Sequence, residues 1–274
     1  MIAIADCGGT KCEFKFSDNS ENLFTKGINP NIHSTEEIIQ TLNKEQNVLE
    51  KLRLCTHLYY FGAGCSTNLQ KNTVQQIWHQ LLPSLVVDVK HDLELAQIAL
   101  CKNTKGFVCI LGTGSNALFY DGISSFSTSP SLGFILGDEG SGAHIGKKFI
   151  RDYFYKEIPN TLYQKLALPN LENTIEQVYK KGKPNEYVAS FTKKLFEHRN
   201  ETYVAQLIQG CFQEFLNVFI LKHKNSKDYP IHFTGSIAFH FQEHLLTVLH
   251  TNGLKVGTIC KNPLEILGIE NFNN

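Results

Sequence analysis

The stretch IAIADCGGTKCEFKF, residues 2–16, decides how the chain begins to fold. It opens with a short apolar run, which is typical of a buried strand, and Gly8-Gly9 then supplies a tight turn. From Cys12 to Phe16 every second residue is apolar and the residues between them are charged, as in a strand with one buried face. The stretch therefore predicts a strand, a glycine turn and a second strand.

Beyond this hairpin the sequence alternates strands with helices. A third strand is expected at 22–25. Ser34 and Glu37 then form the pattern of a capping box, which opens a helix whose last apolar residue is Leu49. The following elements are predicted in the order strand 58–61, helix 67–82, strand 85–89 and helix 93–101. Three strands followed by such units are typical of a mixed sheet with helices on both faces.

The same opening pattern returns in GFVCILGTGSNALFYDG, residues 106–122. A strand, a glycine turn and two more strands are again expected, the last at 123–126. The elements predicted after these are helix 202–222, strand 231–234, helix 237–249, strand 255–258 and a final helix after Pro263. We therefore predict an α/β protein with domains at 1–105 and 106–274, packed around a cleft because no low-complexity linker separates them.

Composition excludes several classes of protein. The chain has 274 residues, with 26 Lys and Arg against 26 Asp and Glu, and it has no basic stripe of the kind that binds nucleic acid. Its apolar runs reach about five residues, whereas a bilayer-spanning helix needs ~20. The N-terminus lacks the basic and long apolar regions of a signal peptide. We expect a cytoplasmic protein with neither membrane nor nucleic-acid partners.

The eight cysteines show no Cys-x-x-Cys pair, and most lie within apolar segments. Such spacing argues against a disulfide framework and against a structural metal site. Reduced cysteines in apolar segments serve as small hydrophobic residues. We therefore expect them in the core.

Two glycine turns, Asp6 to Lys11 and Leu111 to Asn116, suit phosphate binding, because glycine lets backbone N–H groups approach an anion. Neither is a P-loop, and neither is a dinucleotide fingerprint, since both lead into strands. Each alone could be an ordinary tight turn, but their pairing at equivalent points of two similar halves favours function. The carboxylate of Asp6 is suited to hold Mg²⁺ through water; the alternative is that it only caps the turn.

Three other segments carry candidate residues. Asp92 follows a predicted strand, at the end of the sheet where α/β proteins bind ligands, although a helix N-cap would also favour Asp. The stretch GFILGDEGSG, 133–142, places an acidic pair between glycines, with Asp138 or Ser141 as a plain N-cap being the alternative. Thr234-Gly235-Ser236 links a strand to a helix and can approach a nucleotide, or it is an ordinary turn.

Taken together, these motifs resemble one family. Asp-x-Gly-Gly-Thr-Lys at 6–11, Leu-Gly-Thr-Gly-Ser-Asn at 111–116, Gly-Asp-Glu-Gly-Ser at 137–141 and Thr-Gly-Ser-Ile-Ala at 234–238 are similar, in order and spacing, to the N-acetylglucosamine kinase family. This family belongs to the superfamily of sugar kinases, heat-shock chaperones and actin. The resemblance covers nearly the whole chain, from Asp6 to Gly268. It implies two ribonuclease-H-like domains with ATP and a sugar in the cleft between them.

The resemblance also implies roles for individual residues, which are matched motif by motif. The family's catalytic base corresponds to Asp92, and Asp6, the candidate Mg²⁺ ligand, opens the first phosphate loop. The residues expected to bind ATP are Gly8, Gly9, Thr10, Lys11, Gly112, Thr113, Gly114, Gly235 and Ser236. Those expected to bind the sugar are Asn31, Ser115, Asn116, Gly133 and Asp138.

The sequence departs from the family pattern at two points. Both bear on the identity of the sugar more than on the phosphoryl-transfer chemistry. The family's Gly-Trp-Gly before the acidic motif reads Ser131-Leu132-Gly133, and the catalytic segment reads His91-Asp92-Leu93. The expected enzyme is an ATP-dependent phosphotransferase acting on the 6-hydroxyl of N-acetylglucosamine or a close amino sugar. N-acetylmuramate, glucosamine and glucose stay open as acceptors, and a homodimer stays open as the oligomeric state.

A second class stays open beside the kinase. Related activating ATPases of dehydratase and reductase systems share several of the motifs, but they hold an iron–sulfur cluster between subunits through dedicated cysteines. No cysteine here stands in a convincing cluster-ligand context. A sugar-binding sensor without catalysis is a third alternative, which Asp92 and the two phosphate loops argue against.

Overall fold

The computed structural model describes residues 1–272, which form two compact units. The first comprises Met1–Ala99 together with 263–272, and the second is Leu100–Asn262. Within the described residues, no helix is both long enough and apolar enough to cross a membrane.

The first unit is built on a five-stranded sheet with the order β3-β2-β1-β4-β5. Strand β1 pairs antiparallel with β2 and parallel with β4, and β4 pairs parallel with β5. Its strands are β1 Ile2–Cys7, β2 Lys11–Phe16, β3 Leu23–Lys26, β4 His57–Gly62 and β5 Val86–His91. Its helices are α1 Thr35–Asn43, α2 Gln46–Arg53, α3 Asn68–Leu81 and α4 Asp92–Leu100, the last of which runs one residue into the second unit.

The second unit repeats this topology. Its five-stranded sheet has the order β10-β9-β6-β7-β8, so that β6, β7 and β8 correspond to β1, β2 and β3. Its strands are β6 Gly106–Leu111, β7 Ser115–Tyr120, β8 Ser125–Ser127, β9 Ile231–Thr234 and β10 Val256–Cys260. Its helices are α5 Gly133–Leu136, α6 Gly142–Phe154, α7 Asn160–Tyr163, α8 Leu171–Tyr179, α9 Pro184–Ser190, α10 Thr192–Glu197, α11 Thr202–Phe219, α12 Ser236–His240 and α13 Gln242–Thr251. The predicted α/β fold with two ribonuclease-H-like sheets is thus confirmed.

The alternation in the opening stretch has the predicted consequence. Cys12, Phe14 and Phe16 are fully buried and pack in the core of the first unit around Trp78. All eight cysteines are reduced and buried. The capping box is also present: Ser34 Oγ accepts from Glu37 N, and the Glu37 carboxylate accepts from Ser34 N.

Two predicted helices are each broken into two. Leu49 lies in α2 and not in the helix that Ser34 opens, because the backbone at Glu45 leaves the helical region (φ −101°, ψ 62°). The helix predicted at 237–249 is interrupted at Phe241 (φ −104°, ψ 27°), whose ring is buried in the core of the second unit. Tertiary packing here prevails over local helix propensity.

The C-terminal segment differs from the prediction in its secondary structure and in the unit to which it belongs. In place of a final helix, two short 3₁₀ helices occur at Pro263–Glu265 and Ile269–Phe272. They group with the first unit, since Lys15 Nζ donates to the carbonyls of Leu264 (3.0 Å) and Leu267 (2.9 Å). The compact units thus meet between Ala99 and Leu100, and 263–272 group with the first unit, whereas the sequence predicted domains at 1–105 and 106–274.

Strand register brings the candidate loops of each unit to one end of its sheet. In the first unit Cys7 pairs with Gly62 and Gly62 with His91, so the turn after β1 and Asp92 leave the same edge. In the second unit Ile110 pairs with Thr234, so Gly112 and Gly235 leave neighbouring strands.

Candidate active site

The first glycine turn is supported from one side and open on another. Gly8 N donates to Lys11 O (2.9 Å), and Gly27 N donates to Thr10 O (2.9 Å). A β-carbon on Gly27 would lie 2.3 Å from the Gly9 carbonyl carbon, whereas one on Gly9 would meet nothing within 4 Å. Gly27 is thus a structural part of this turn that sequence reasoning missed.

Asp6 is the second-last residue of β1 and lies near other carboxylates. Burial raises its pKa to about 7, and the negative charges of Asp92 and then Glu13 add to the increase, while Lys11 opposes it. Carboxylate oxygens are the ligands that a hard divalent cation prefers, so Asp6 and Asp92 are suited to Mg²⁺, which takes few protein ligands. Among residues 1–272 no group of three or more His, Cys, Asp or Glu is arranged to hold a metal ion. The ammonium of Lys11 lies 3.4 Å from Glu13 and 3.8 Å from the centre of the Phe24 ring.

Asp92 is the first residue of α4 and is bound on one oxygen. Its Oδ1 accepts from Leu93 N (2.8 Å) and lies 2.9 Å from His91 Nδ1. Burial acts to lower the pKa of His91, but the hydrogen bond and charge of Asp92, with Glu94, outweigh it and raise the pKa above the ordinary 6.5. Leu93 N also lies 3.2 Å from His91 Nδ1. Sequence reasoning noted His91 only as a departure from the family pattern.

Asn31 lies exposed beside the loop after β4. Its Oδ1 accepts from Gln70 Nε2, and its Nδ2 donates to Gly64 O (3.4 Å). Gln70 is itself fixed, because its Oε1 accepts from Thr67 N (2.9 Å) in the capping box of α3. Gln70 is a second missed residue, and its contact with Asn31 joins residues too distant in sequence for a local signal.

The second glycine turn is hydrogen-bonded to the first residues of α6. Gly142 N donates to Gly112 O (2.8 Å), and Ala143 N donates to Thr113 O (3.1 Å). A β-carbon on Gly112 would meet nothing within 4 Å. One face of this turn is therefore fixed by the helix and another is open, as in the first unit.

Asp138 is brought directly against this second turn. Its Oδ1 accepts from Ser115 N (3.3 Å), and a β-carbon on Gly114 would lie 3.1 Å from its Oδ2. Burial raises the pKa of Asp138, while the Ser115 N–H and Lys147 oppose the increase. The Ser115 hydroxyl is buried and has no hydrogen-bond partner among the described residues. Asn116 uses its Oδ1 to accept from Ala117 N (2.9 Å).

The third glycine element packs against the second turn. Gly235 has a φ of +111°, and a β-carbon there would lie 2.3 Å from Leu111 O. Ser236 begins α12, and the buried hydroxyl of Thr234 has no hydrogen-bond partner within residues 1–272. Gly112, Asp138 and Gly235 thus belong to one set of contacts.

Gly133 stands apart from this set. It begins α5 with a φ of +70°, and a β-carbon on it would meet nothing within 4 Å. Its carbonyl accepts from Gly137 N (2.8 Å), the residue before Asp138. Ser141, one of the two alternatives for a helix cap, is indeed the N-cap of α6.

Known proteins similar to this chain include sugar kinases, although no family model matches the chain. A solved structure of the proposed N-acetylglucosamine kinase from Porphyromonas gingivalis has 33% sequence identity and a TM-score of 0.91, covering 97% of this chain and 96% of that one. The N-acetylmuramic acid/N-acetylglucosamine kinase of Clostridium acetobutylicum is 26% identical over 207 residues, which are 69% of this chain and 67% of that protein.

A more distant structure supports the fold alone. The proposed N-acetylglucosamine kinase from Chromobacterium violaceum has a TM-score of 0.65 at 12% identity and covers 96% of both chains. The identity and nearly complete coverage of the P. gingivalis structure are decisive, and they agree with the four motifs and the duplicated sheet. The chain belongs to the N-acetylglucosamine kinase family.

Proposed function

We propose that this sugar kinase transfers the γ-phosphoryl group of ATP to the 6-hydroxyl of N-acetylglucosamine or a close amino sugar. The observation that carries the proposal is the contact between Asp138 and the second glycine turn, since it joins a polyol-binding carboxylate to a phosphate-binding loop. Phosphoryl transfer depends on positioning and charge neutralisation more than on covalent chemistry by the protein. Asp138 and the second glycine turn can supply positioning, and the turn's backbone N–H groups can neutralise phosphate charge.

The glycine turns would bind the phosphates. The open faces of Gly9 and Gly112 let backbone N–H groups approach phosphate oxygens, and the neighbouring Thr10 and Thr113 supply hydroxyl groups. We place Gly8, Lys11 and Gly114 with these loops, and Gly235 and Ser236 at the nucleoside. Asp6 would hold Mg²⁺, which when bound neutralises charge on the phosphate oxygens.

Asp92 would accept the proton of the attacking hydroxyl. Both of its protein contacts engage Oδ1, so we propose that Oδ2 takes the proton. The contacts of Oδ1 fix the carboxylate in one orientation, which a general base requires for hydrogen-bond reach.

We propose sugar-binding roles for Asn31 in the first unit and, in the second unit, for Ser115, Asn116, Gly133 and Asp138. Carboxylate and amide groups suit the hydroxyls of a neutral sugar. The buried Ser115 hydroxyl supports this assignment, because buried polar groups nearly always have a partner.

The reaction is tested by measuring ADP release over a panel of hexoses and amino sugars. We expect the highest kcat/KM with N-acetylglucosamine or N-acetylmuramate, and phosphorylation at the 6-position by NMR of the product. ATP hydrolysis that no sugar stimulates would contradict the proposal and favour an activating ATPase. That alternative has little support, since its cluster needs accessible thiolates and all eight cysteines are buried.

Replacing Asp138 with alanine is expected to raise KM for the sugar roughly 10- to 100-fold, the range for losing a hydrogen bond to a charged group. KM for ATP should change far less, because the lost contact is to the acceptor. Asp138→Asn is the matched control for backbone conformation, since Asn tolerates the left-handed φ of +59° that Asp138 adopts. Steady-state kinetics with both substrates varied provide the measurement, and an unchanged sugar KM in Asp138→Ala would reject the assignment.

A further inference from the structure

The turn that carries Asp138 has an unusual backbone. Asp138 has a φ of +59° and Gly140 a φ of +73°. A left-handed conformation is uncommon for a residue other than glycine and persists only where the surroundings impose it. Ser141 N donates to Asp138 O (3.1 Å) and closes the turn, and a second contact is made at Gly140 N.

His144, on the first turn of α6, makes that contact. Its Nδ1 lies 3.1 Å from Gly140 N, which donates. A backbone N–H has no lone pair, so Nδ1 must be the acceptor and carry no proton. The ring proton is then on Nε2, which lies 3.3 Å from Glu214 Oε2 on α11.

The surroundings keep this ring neutral. Burial lowers the pKa of His144, and the ammonium groups of Lys148 and Lys147 lower it further, whereas Glu214 and Glu139 oppose the decrease. Glu214 is at the same time in an ion pair with Lys148, which limits its effect on the ring. A neutral ring is the form that can accept from Gly140 N.

Protonation would reverse the contact. In the imidazolium both ring nitrogens are donors, so Nδ1–H would face the N–H of Gly140. The turn has little room to adapt, because a β-carbon on Gly140 would already lie 2.8 Å from the Phe215 side chain. Loss of this hydrogen bond would release the backbone that presents Asp138.

We infer that His144 is a positioning residue which holds Asp138 in its sugar-binding conformation only while its ring is neutral. This inference rests on the proposed role of Asp138 and deepens it, since it makes sugar affinity depend on pH through a residue that does not touch the sugar. KM for the sugar should therefore be low above the ordinary histidine pKa of 6.5 and rise as the pH falls below it.

The first experiment compares the pH profiles of KM in the wild type and two variants. His144→Leu removes the acceptor, so the sugar KM should rise roughly three- to tenfold at neutral pH, the range for a neutral hydrogen bond, while kcat changes little. His144→Gln offers an acceptor that does not titrate, so it should restore a low KM and remove the rise at acid pH. If the rise persists unchanged in His144→Gln, Asp138 itself is the titrating group and the inference is wrong.

A third variant changes Glu214, which contacts Nε2 of the His144 ring, whereas the turn contacts Nδ1. Glu214→Gln removes a charge that raises the pKa of His144, so the rise in KM should move to lower pH. A merely structural role for His144 predicts no such displacement. An unchanged profile in a folded Glu214→Gln protein would contradict the inference.

NMR of the wild type tests the geometry without any activity. The ¹⁵N-labelled His144 ring, assigned by its loss in His144→Gln, should be the Nε2–H tautomer and titrate below 6.5. An Nδ1–H tautomer would overturn the inference even if the variants fail to fold. Conversely, absence of sugar phosphorylation would reject the proposed function and leave the tautomer and the Gly140 contact to be judged by NMR.

Discussion

Asp92→Asn is expected to lower kcat by roughly 10²- to 10⁴-fold, the usual range for loss of a general base, while the protein stays folded and binds ATP. Asparagine keeps the shape of the side chain and caps a helix about as well as aspartate. Its amide oxygen can still accept from Leu93 N, as Asp92 Oδ1 does at 2.8 Å, but it has no basicity. The thermal midpoint should change little, because loss of the His91 contact is opposed by relief of the repulsion with Asp6.

The measurement is single-turnover and steady-state phosphorylation of the sugar, with ATP affinity determined by titration. Asp88→Asn is a matched control, since Asp88 lies on β5, the strand that leads to Asp92, with half of its side chain exposed (50%), and pairs with His57. Its kcat should stay near that of the wild type. A near-wild-type kcat in folded Asp92→Asn would show that the residue has only a structural role at the start of α4, and Asp138 would become the next candidate for the base.

Gly235→Ala is expected to destabilise the protein by roughly 2–6 kcal/mol, because it adds backbone strain to overpacking. The φ of +111° lies outside the range that alanine adopts readily, and the new β-carbon would be 2.3 Å from Leu111 O. The backbone of the second glycine turn must move to admit it. We expect a marked fall in the thermal midpoint and a loss of ATP binding in the fraction that stays folded.

Gly112→Ala is the control that separates two effects: a loss of stability in the second glycine turn, and a blocked approach of the ATP phosphates to that turn. The β-carbon at Gly112 would meet nothing within 4 Å, so the thermal midpoint should stay close to the wild-type value. KM for ATP should nevertheless rise, since the methyl group occupies the face that we assign to the phosphates. Calorimetry and ATP titration of both variants decide the matter; equal destabilisation, or unchanged ATP binding in both, would contradict these assignments.

Most strands and the duplicated fold could be predicted from the sequence, because their signals are local. The alternation from Cys12 to Phe16 requires one buried face, and the capping box of Ser34 requires only residues three apart. The two broken helices could not be predicted, since Phe241 leaves the helix to bury its ring in a core assembled from distant segments. Nor could the return of 263–272 to the first unit, which depends on Lys15 reaching the carbonyls of Leu264 and Leu267.

In the candidate site, too, some features follow from local sequence and others depend on long-range contacts. The residue types of the candidate site can be read from the sequence: glycines for close backbone approach, and Asp6, Asp92 and Asp138 for charge. The contacts that hold these residues in place cannot be read from it. Gly27 supports the first turn, Gln70 contacts Asn31, and Glu214 contacts His144, which accepts from Gly140 N in the acidic turn. Each of these contacts joins residues far apart in sequence, and hydrogen bonding and close packing depend on distances that only the folded chain sets.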